Sequence, residues 1–343
     1  MLSKKALSAR LGRPSRGMAR AIAFAMAAVV TTSVGGCGLL GGDDSSSSGG
    51  SGNLEKSKIK VAVMSTIDLA PLRLAQDGGY FKNEGLDVEA IEAGTGQISL
   101  TKLIGGEVDI AYASYTPFFI AMSKNTADIK LVADASSAGP KSTMLVTLPT
   151  SSVKSVSDLA GKKIGITAPN TVSDTLSKSV MKDHGVDASK VQWVPIQLPN
   201  VGAALKNGDI DAGFLTEPFI TQTAKQAGTV PVVDTATGAT QDFPTAGYGS
   251  LGKFVSENPK TVAAFQRAMQ KATRDAADRS KIEPLLVKYA RIDQDTAALT
   301  TLLTFQSTLD PRRIQRVPDL LLQMGAIPTK IDVGPMIAAQ ATS

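Results

Sequence analysis

LIGGEVDIAYAS, Leu103–Ser114, and LKNGDIDAGFLT, Leu205–Thr216, share one pattern: Leu-x-x-Gly, an acid, Val or Ile, Asp, then a short apolar run. A glycine here ends a helix, and a bounded apolar run reads as a buried strand. The likeness extends outward. KIKVAVMST (Lys58–Thr66) is matched by KKIGITAP (Lys162–Pro169), and EGLDVEAI (Glu84–Ile91) by HGVDASKVQWVPI (His184–Ile196). The offsets between matched segments are 104, 100 and 102 residues. Each copy predicts strand, helix, strand, helix, strand. Strands alternating with helices at these lengths argue for parallel βαβ units, and two copies argue for two α/β lobes.

The lobes need not be contiguous in sequence. The strand-like run KSTMLVTLP (Lys141–Pro149) is expected to cross from the first lobe to the second, and PTAGYGSLGKFVS (Pro244–Ser256) to cross back. Hinges are predicted near Val146–Thr150 and Pro244–Gly249. The boundaries expected are 58–146 for the first part of lobe I, 147–244 for lobe II and 245–343 for a helical return to lobe I. Asn258-Pro259 suits a helix start, with Asn as N-cap and Pro at the first position. Phe265, Met269, Ala272 and Ala276 then fall on one face.

The residues before 58 read differently. Residues 1–20 carry Lys4, Lys5, Arg10, Arg13, Arg16 and Arg20 and no acid. The apolar run AIAFAMAAVVTT follows, shorter than the ~20 residues a membrane-spanning helix needs. A basic start, a short apolar stretch and small residues make a signal peptide, expected over 1–36. Cys37 is the only cysteine of the 343 residues, which excludes an internal disulfide or a CxxC pair. Val34-Gly35-Gly36-Cys37 resembles a bacterial lipobox, so Cys37 is the expected lipidation site. Several acyl chains, each CH₂ worth ~0.8 kcal/mol, hold firmly to a membrane. The Gly/Ser-rich segment within 37–57 reads as a flexible tether. Removal of 1–36 leaves 30 basic and 31 acidic residues, a net charge of −1 in place of +5. The basic balance therefore belongs to the export signal, and nucleic acid is not an expected partner.

In open α/β sheets ligands bind beyond the carboxyl ends of the strands. Six such ends are legible: STIDLAP (Ser65–Pro71), AGTGQ (Ala93–Gln97), ASYTPF (Ala113–Phe118), APNTVSD (Ala168–Asp174), LPNVG (Leu198–Gly202) and LTEPF (Leu215–Phe219). Each opens a helix, whose first N–H groups are unpaired and carry partial positive charge. Ser114, Thr116, Thr171 and Ser173 are the leading ligand candidates, with Ser65, Thr95 and Asn200 in the same loops. Plain N-capping uses the same residue types and stays open for each. Asp68 and Glu217 lie in the same ring of loops. Each either complements a helix dipole or points into the cleft, where it would repel a bare anion and favour an amino or ring N–H group. Tyr115 and Tyr248 are the expected cleft walls, whereas Phe118, Phe219 and Trp193 are assigned to the core. His184, the single histidine, sits at a helix end away from these loops. No catalytic residue, metal site or cofactor is expected.

With APLRLAQDGGYFKNEGLDVE (Ala70–Glu89), SVSDLAGKKIGI (Ser155–Ile166), LKNGDIDAGFLTEPF (Leu205–Phe219) and FVSENP (Phe254–Pro259) in view, the chain resembles the solute-binding proteins of bacterial ABC importers. The resemblance is to the family of sulfonate, taurine and nitrate receptors and thiamine-pyrimidine-like proteins, over about residues 58–310. Thr216 stands where that family often has Trp before Glu-Pro. The resemblance implies a periplasmic-binding-protein-like (type II) two-lobe clamshell. It also implies a non-enzymatic, monomeric lipoprotein on the outer face of the cell membrane that serves an ABC permease and ATPase. A sulfonate or taurine-like solute is the leading ligand. A thiamine pyrimidine precursor as ligand, a pyrimidine-synthesising enzyme of the same fold, and a ligand sensor are the alternatives.

Overall fold

The structure is a computed structural model that describes residues 53–341. The expected export signal over 1–36, Cys37 and most of the expected tether lie outside the described residues. Eleven strands are seen among the described residues. They are β1 (Lys58–Val63), β2 (Asp87–Glu92), β3 (Ile110–Ser114), β4 (Ile129–Ser137), β5 (Thr143–Thr147), β6 (Lys163–Ile166), β7 (Gln192–Pro195), β8 (Ala212–Thr216), β9 (Val230–Asp234), β10 (Pro244–Leu251) and β11 (Thr304–Phe305). They form two sheets with one plan, β2-β1-β3-β10-β4-β11 and β7-β6-β8-β5-β9.

The repeat accounts for the first three strands of each sheet. β1 runs parallel to β2 and β3, and β6 runs parallel to β7 and β8. The shared Leu-x-x-Gly-acid-Val/Ile-Asp motif has a mechanical role. Gly106 and Gly208 take φ of 72° and 75°, the left-handed region that favours glycine. Val108 and Ile210 are then buried. Asp109 and Asp211 each tie the end of that turn to the first strand of their sheet. Asp109 Oδ2 accepts the Lys60 N–H at 2.9 Å, and Asp211 Oδ2 accepts the Lys163 N–H at 2.8 Å. One carboxylate thus sets the register of strands one and three in both lobes.

The fourth position in each sheet is filled from the other half of the chain. β10 inserts antiparallel between β3 and β4, and β5 inserts antiparallel between β8 and β9. Both sheets are therefore mixed, not wholly parallel. This also moves the expected boundaries. β5 lies in the second sheet and β10 in the first, so the crossings fall at 138–142 and 235–243, not at Val146–Thr150 and Pro244–Gly249. An apolar run reads alike as a crossing segment or as a buried strand, and only its pairing partner decides.

Helix Pro259–Asp275 packs on the first sheet. It buries Phe265, Met269 and Ala272, and Ala276 just beyond, as the spacing predicts. Phe265 stacks on Phe81 with centroids 5.5 Å apart. Each large side chain fully buried this way stabilises by about 1.5–3 kcal/mol. The cap at its start is not the Asn258 side chain. The Glu55 carboxylate accepts the N–H groups of Lys260 (3.2 Å) and Thr261 (3.0 Å). Among the described residues no helix is long and apolar enough to cross a membrane.

Candidate ligand-binding site

The carboxyl ends of the two sheets face each other across a cavity of about 50 Å³. Thr66, Asp68, Tyr112, Ser114 and Thr245 line it from the first lobe; Thr143, Thr167, Thr171, Ser173 and Thr216 line it from the second. Met64, Val172, Leu198, Phe214 and Leu303 supply apolar surface. One water needs about 10–15 Å³ on this measure, so the space suits a small solute. The lobes touch beside it: Ser114 Oγ accepts the Val172 N–H at 3.3 Å, from the first turn of helix Val172–Asp183.

The second-lobe wall is a ring of hydroxyls. Thr167 Oγ1 lies 3.0 Å from Thr171 Oγ1 and 2.8 Å from Ser173 Oγ, which are themselves 2.8 Å apart. Thr171 donates to the Ala168 carbonyl (2.8 Å), and Ser173 Oγ accepts the Thr167 N–H (3.0 Å). The first-lobe wall is anionic. Asp68 is 6% exposed; its Oδ2 accepts from Ser136 Oγ at 3.0 Å, and its Oδ1 has no partner in the protein. Burial, and then the Asp68 charge, push the Tyr112 and Tyr248 hydroxyls well above the usual phenol range. Both rings are therefore neutral.

The match to known proteins follows from this frame. The family model described as NMT1/THI5 like matches residues 66–281, well over half of the chain. The chain belongs to the NMT1/THI5-like family. The taurine-binding periplasmic protein of Escherichia coli is 24% identical to this chain over 212 residues, which are 61% of this chain and 64% of that protein. The 4-amino-5-hydroxymethyl-2-methylpyrimidine phosphate synthase of Aspergillus parasiticus is 29% identical over 217 residues, covering 60% and 61% of the two chains. This chain thus matches a little under two thirds of those relatives' length. The periplasmic aliphatic sulphonate binding protein SsuA of Escherichia coli superposes with a TM-score of 0.66 over 82% of this chain and 98% of that one, at 18% identity. The fold is that of a periplasmic binding protein, a two-lobe clamshell.

Within this family frame, Asp68, Ser114, Thr171 and Ser173 meet at the cavity, and the other candidates lie elsewhere. Tyr115 is no cleft wall. It turns away from Ser114 and passes beneath β10, and its hydroxyl donates to Asp134 Oδ1 at 2.7 Å. A Cβ on Gly247 would stand 2.5 Å from that hydroxyl, so the strand needs glycine there. Tyr248 is also buried, between Tyr112 and Phe265 at 5.5 and 5.6 Å. Thr116 is buried and does not line the cavity. Thr95 caps helix Gly96–Ile104 by accepting the Ile98 N–H, while Ser65 is half-buried and Asn200 exposed.

Glu217 is turned to a separate groove. Its carboxylate accepts from the Thr221 N–H (3.1 Å), the Thr221 hydroxyl (2.8 Å) and, across the lobes, the Thr301 N–H (3.1 Å). Its carbonyl accepts the Ile67 N–H at 3.2 Å. Burial raises its pKa, against the pull of those donors. It ties the lobes together and has no free face toward the cavity.

Sequence reasoning passed over Tyr112, Thr143, Thr167, Phe214 and Thr245. A signal for two of them was present. Tyr112 stands two residues before Ser114 on β3, and Phe214 two before Thr216 on β8, so each pair shares a face.

Proposed function

We propose that this chain is an extracytoplasmic lipoprotein that captures a small sulfonate- or taurine-like solute between its lobes and delivers it to an ABC permease. One observation carries the reading: a small polar cavity walled by both lobes, at the carboxyl ends of both sheets, with a direct bond between the lobes at its edge. Such a cavity is complete only when the lobes are together. A solute touching both walls favours the closed state by its differential affinity for it. A micromolar receptor needs a net binding free energy of about −8 kcal/mol, within reach of several hydrogen bonds and one apolar contact. The names of the taurine- and sulphonate-binding relatives support the solute class. Lipidation at Cys37 and delivery to a permease rest on the sequence and on the family.

The test is a thermal-shift screen over taurine, ethanesulfonate, nitrate and a 4-aminopyrimidine. Bound solute raises the melting temperature in proportion to its occupancy of the folded state. A shift with taurine or ethanesulfonate at micromolar to low-millimolar concentration is expected. A shift with the aminopyrimidine alone would move the ligand class to the heteroaromatics, and a flat screen would count against the receptor reading.

A further inference from the structure

The charge inside the cavity is one-sided. Among the described residues that line it, Asp68 is the one carboxylate, and none is Lys, Arg or His. Asp68 is 6% exposed, with Oδ2 bonded to Ser136, Oδ1 without a hydrogen bond of ordinary geometry, and the Tyr112 hydroxyl close by. Arg73 makes no ion pair with Asp68: its Nη groups meet Glu92 Oε1 at 2.7 Å and Gln76 Oε1 at 3.1 Å, its Nε is buried without a partner, and its charge opposes that of Asp68 at the Tyr248 hydroxyl. A buried carboxylate without an ion-pair partner is costly, and a ligand cation that completes it removes that cost.

The opposite wall is compatible with the same ligand. The Thr167, Thr171 and Ser173 hydroxyls hold three protons between them. Thr171 donates to the Ala168 carbonyl, and the three short contacts within the ring let either hydroxyl of each pair donate. The ring oxygens can thus accept from a solute N–H, while the Ser114 hydroxyl, which accepts from Val172, keeps its own proton to donate to an anionic end of the same solute.

We infer that the solute carries a protonated amine and seats it on Asp68, with two of its N–H groups shared between Oδ1 and neighbouring hydroxyl oxygens. This rests on the receptor reading above and narrows it. The ligand is a zwitterion or a cation, not a simple oxyanion or alkanesulfonate. The Tyr112 and Phe214 rings that share the cavity wall suit the same charge, since aromatic faces attract cations. Asp68 is then the residue that sets specificity.

Matched pairs test this by calorimetry: taurine against propane-1-sulfonate, and 4-(aminomethyl)pyrimidine against 4-ethylpyrimidine, in each of which a methyl replaces the ammonium, with wild-type chain and D68N. The amine-bearing member of at least one pair is expected to bind at least tenfold tighter than its partner, and D68N is expected to abolish that preference. Equal binding within every pair that binds, or a preference that survives D68N, overturns the inference and leaves the receptor reading standing. Failure of all four compounds overturns the receptor reading for these classes. A second readout needs no ligand. Asp68→Asn removes a buried carboxylate that has no ion-pair partner while keeping an oxygen for Ser136, so ligand-free D68N is expected to melt about 2 °C or more above wild type. A lower melting temperature would mark Asp68 as structural and overturn the inference whatever binds.

Discussion

Arg313→Met is expected to lower the unfolding free energy by about 3–5 kcal/mol, because it strips the partner from a buried charge. Asp134, on β4, is 3% exposed. Its carboxylate pairs with the Arg313 guanidinium and accepts from the Tyr115 hydroxyl (2.7 Å) and the Ala135 N–H (2.9 Å). Arg313 also donates to Ser137 Oγ at 2.6 Å, so one side chain pins the C-terminal segment to the strand. Burial pushes the Asp134 pKa up to about 6, against the pull of Arg313 and Tyr115. The sign of the pH effect follows. An acid whose pKa rises on folding holds a proton that the unfolded chain has lost. Its contribution is therefore fully present below about pH 4 and is lost as pH rises through about 6. Urea titrations should show a larger Arg313→Met defect at pH 8 than at pH 5. D134N combined with R313M should recover part of the loss, since the two sites are coupled. A loss below about 1 kcal/mol, the range of a surface pair, would mean that the ion pair is not buried as described.

Ala246→Leu is expected to weaken solute binding more than 100-fold, which is about 2.7 kcal/mol. Ala246 is 2% exposed, lies on β10 opposite Ser114 on one side and Ser136 on the other, and lines the cavity. Three added carbons enter a space of about 50 Å³ and take the volume the solute would occupy. Overpacking of this kind costs about 1–3 kcal/mol of stability, which leaves the chain folded. Calorimetry on the tightest solute, with circular dichroism as the control for folding, reads the result. Binding within threefold of wild type would place the solute elsewhere.

The two-lobe plan was legible because it is written twice. The Gly106/Gly208 turns and the Asp109/Asp211 ties are local, so a repeated motif reports repeated geometry. The crossings were not local. β5 and β10 are apolar runs, and their place in the opposite lobe's sheet is settled by strands some hundred residues away. The site divides along the same line. Asp68, Ser114, Thr171 and Ser173 follow from the rule that strand ends bind ligands. Tyr115 and Thr116, next to Ser114, fall off the cavity because successive residues at a strand-to-helix turn point in different directions. Tyr248 shares a face of β10 with Ala246 but lies one pleat deeper, behind Tyr112. Glu217 was read as facing the cleft or capping a helix. It does cap: it bonds the Thr221 N–H of its own helix, and it also reaches Thr301, which no local pattern could reveal.

Small-angle X-ray scattering with and without saturating taurine, or whichever solute calorimetry identifies, measures directly whether a solute holds the two lobes together. The radius of gyration should fall on binding, and the bound curve should match the one calculated from the closed structure described above. Superimposable curves in the presence of proven binding would contradict it.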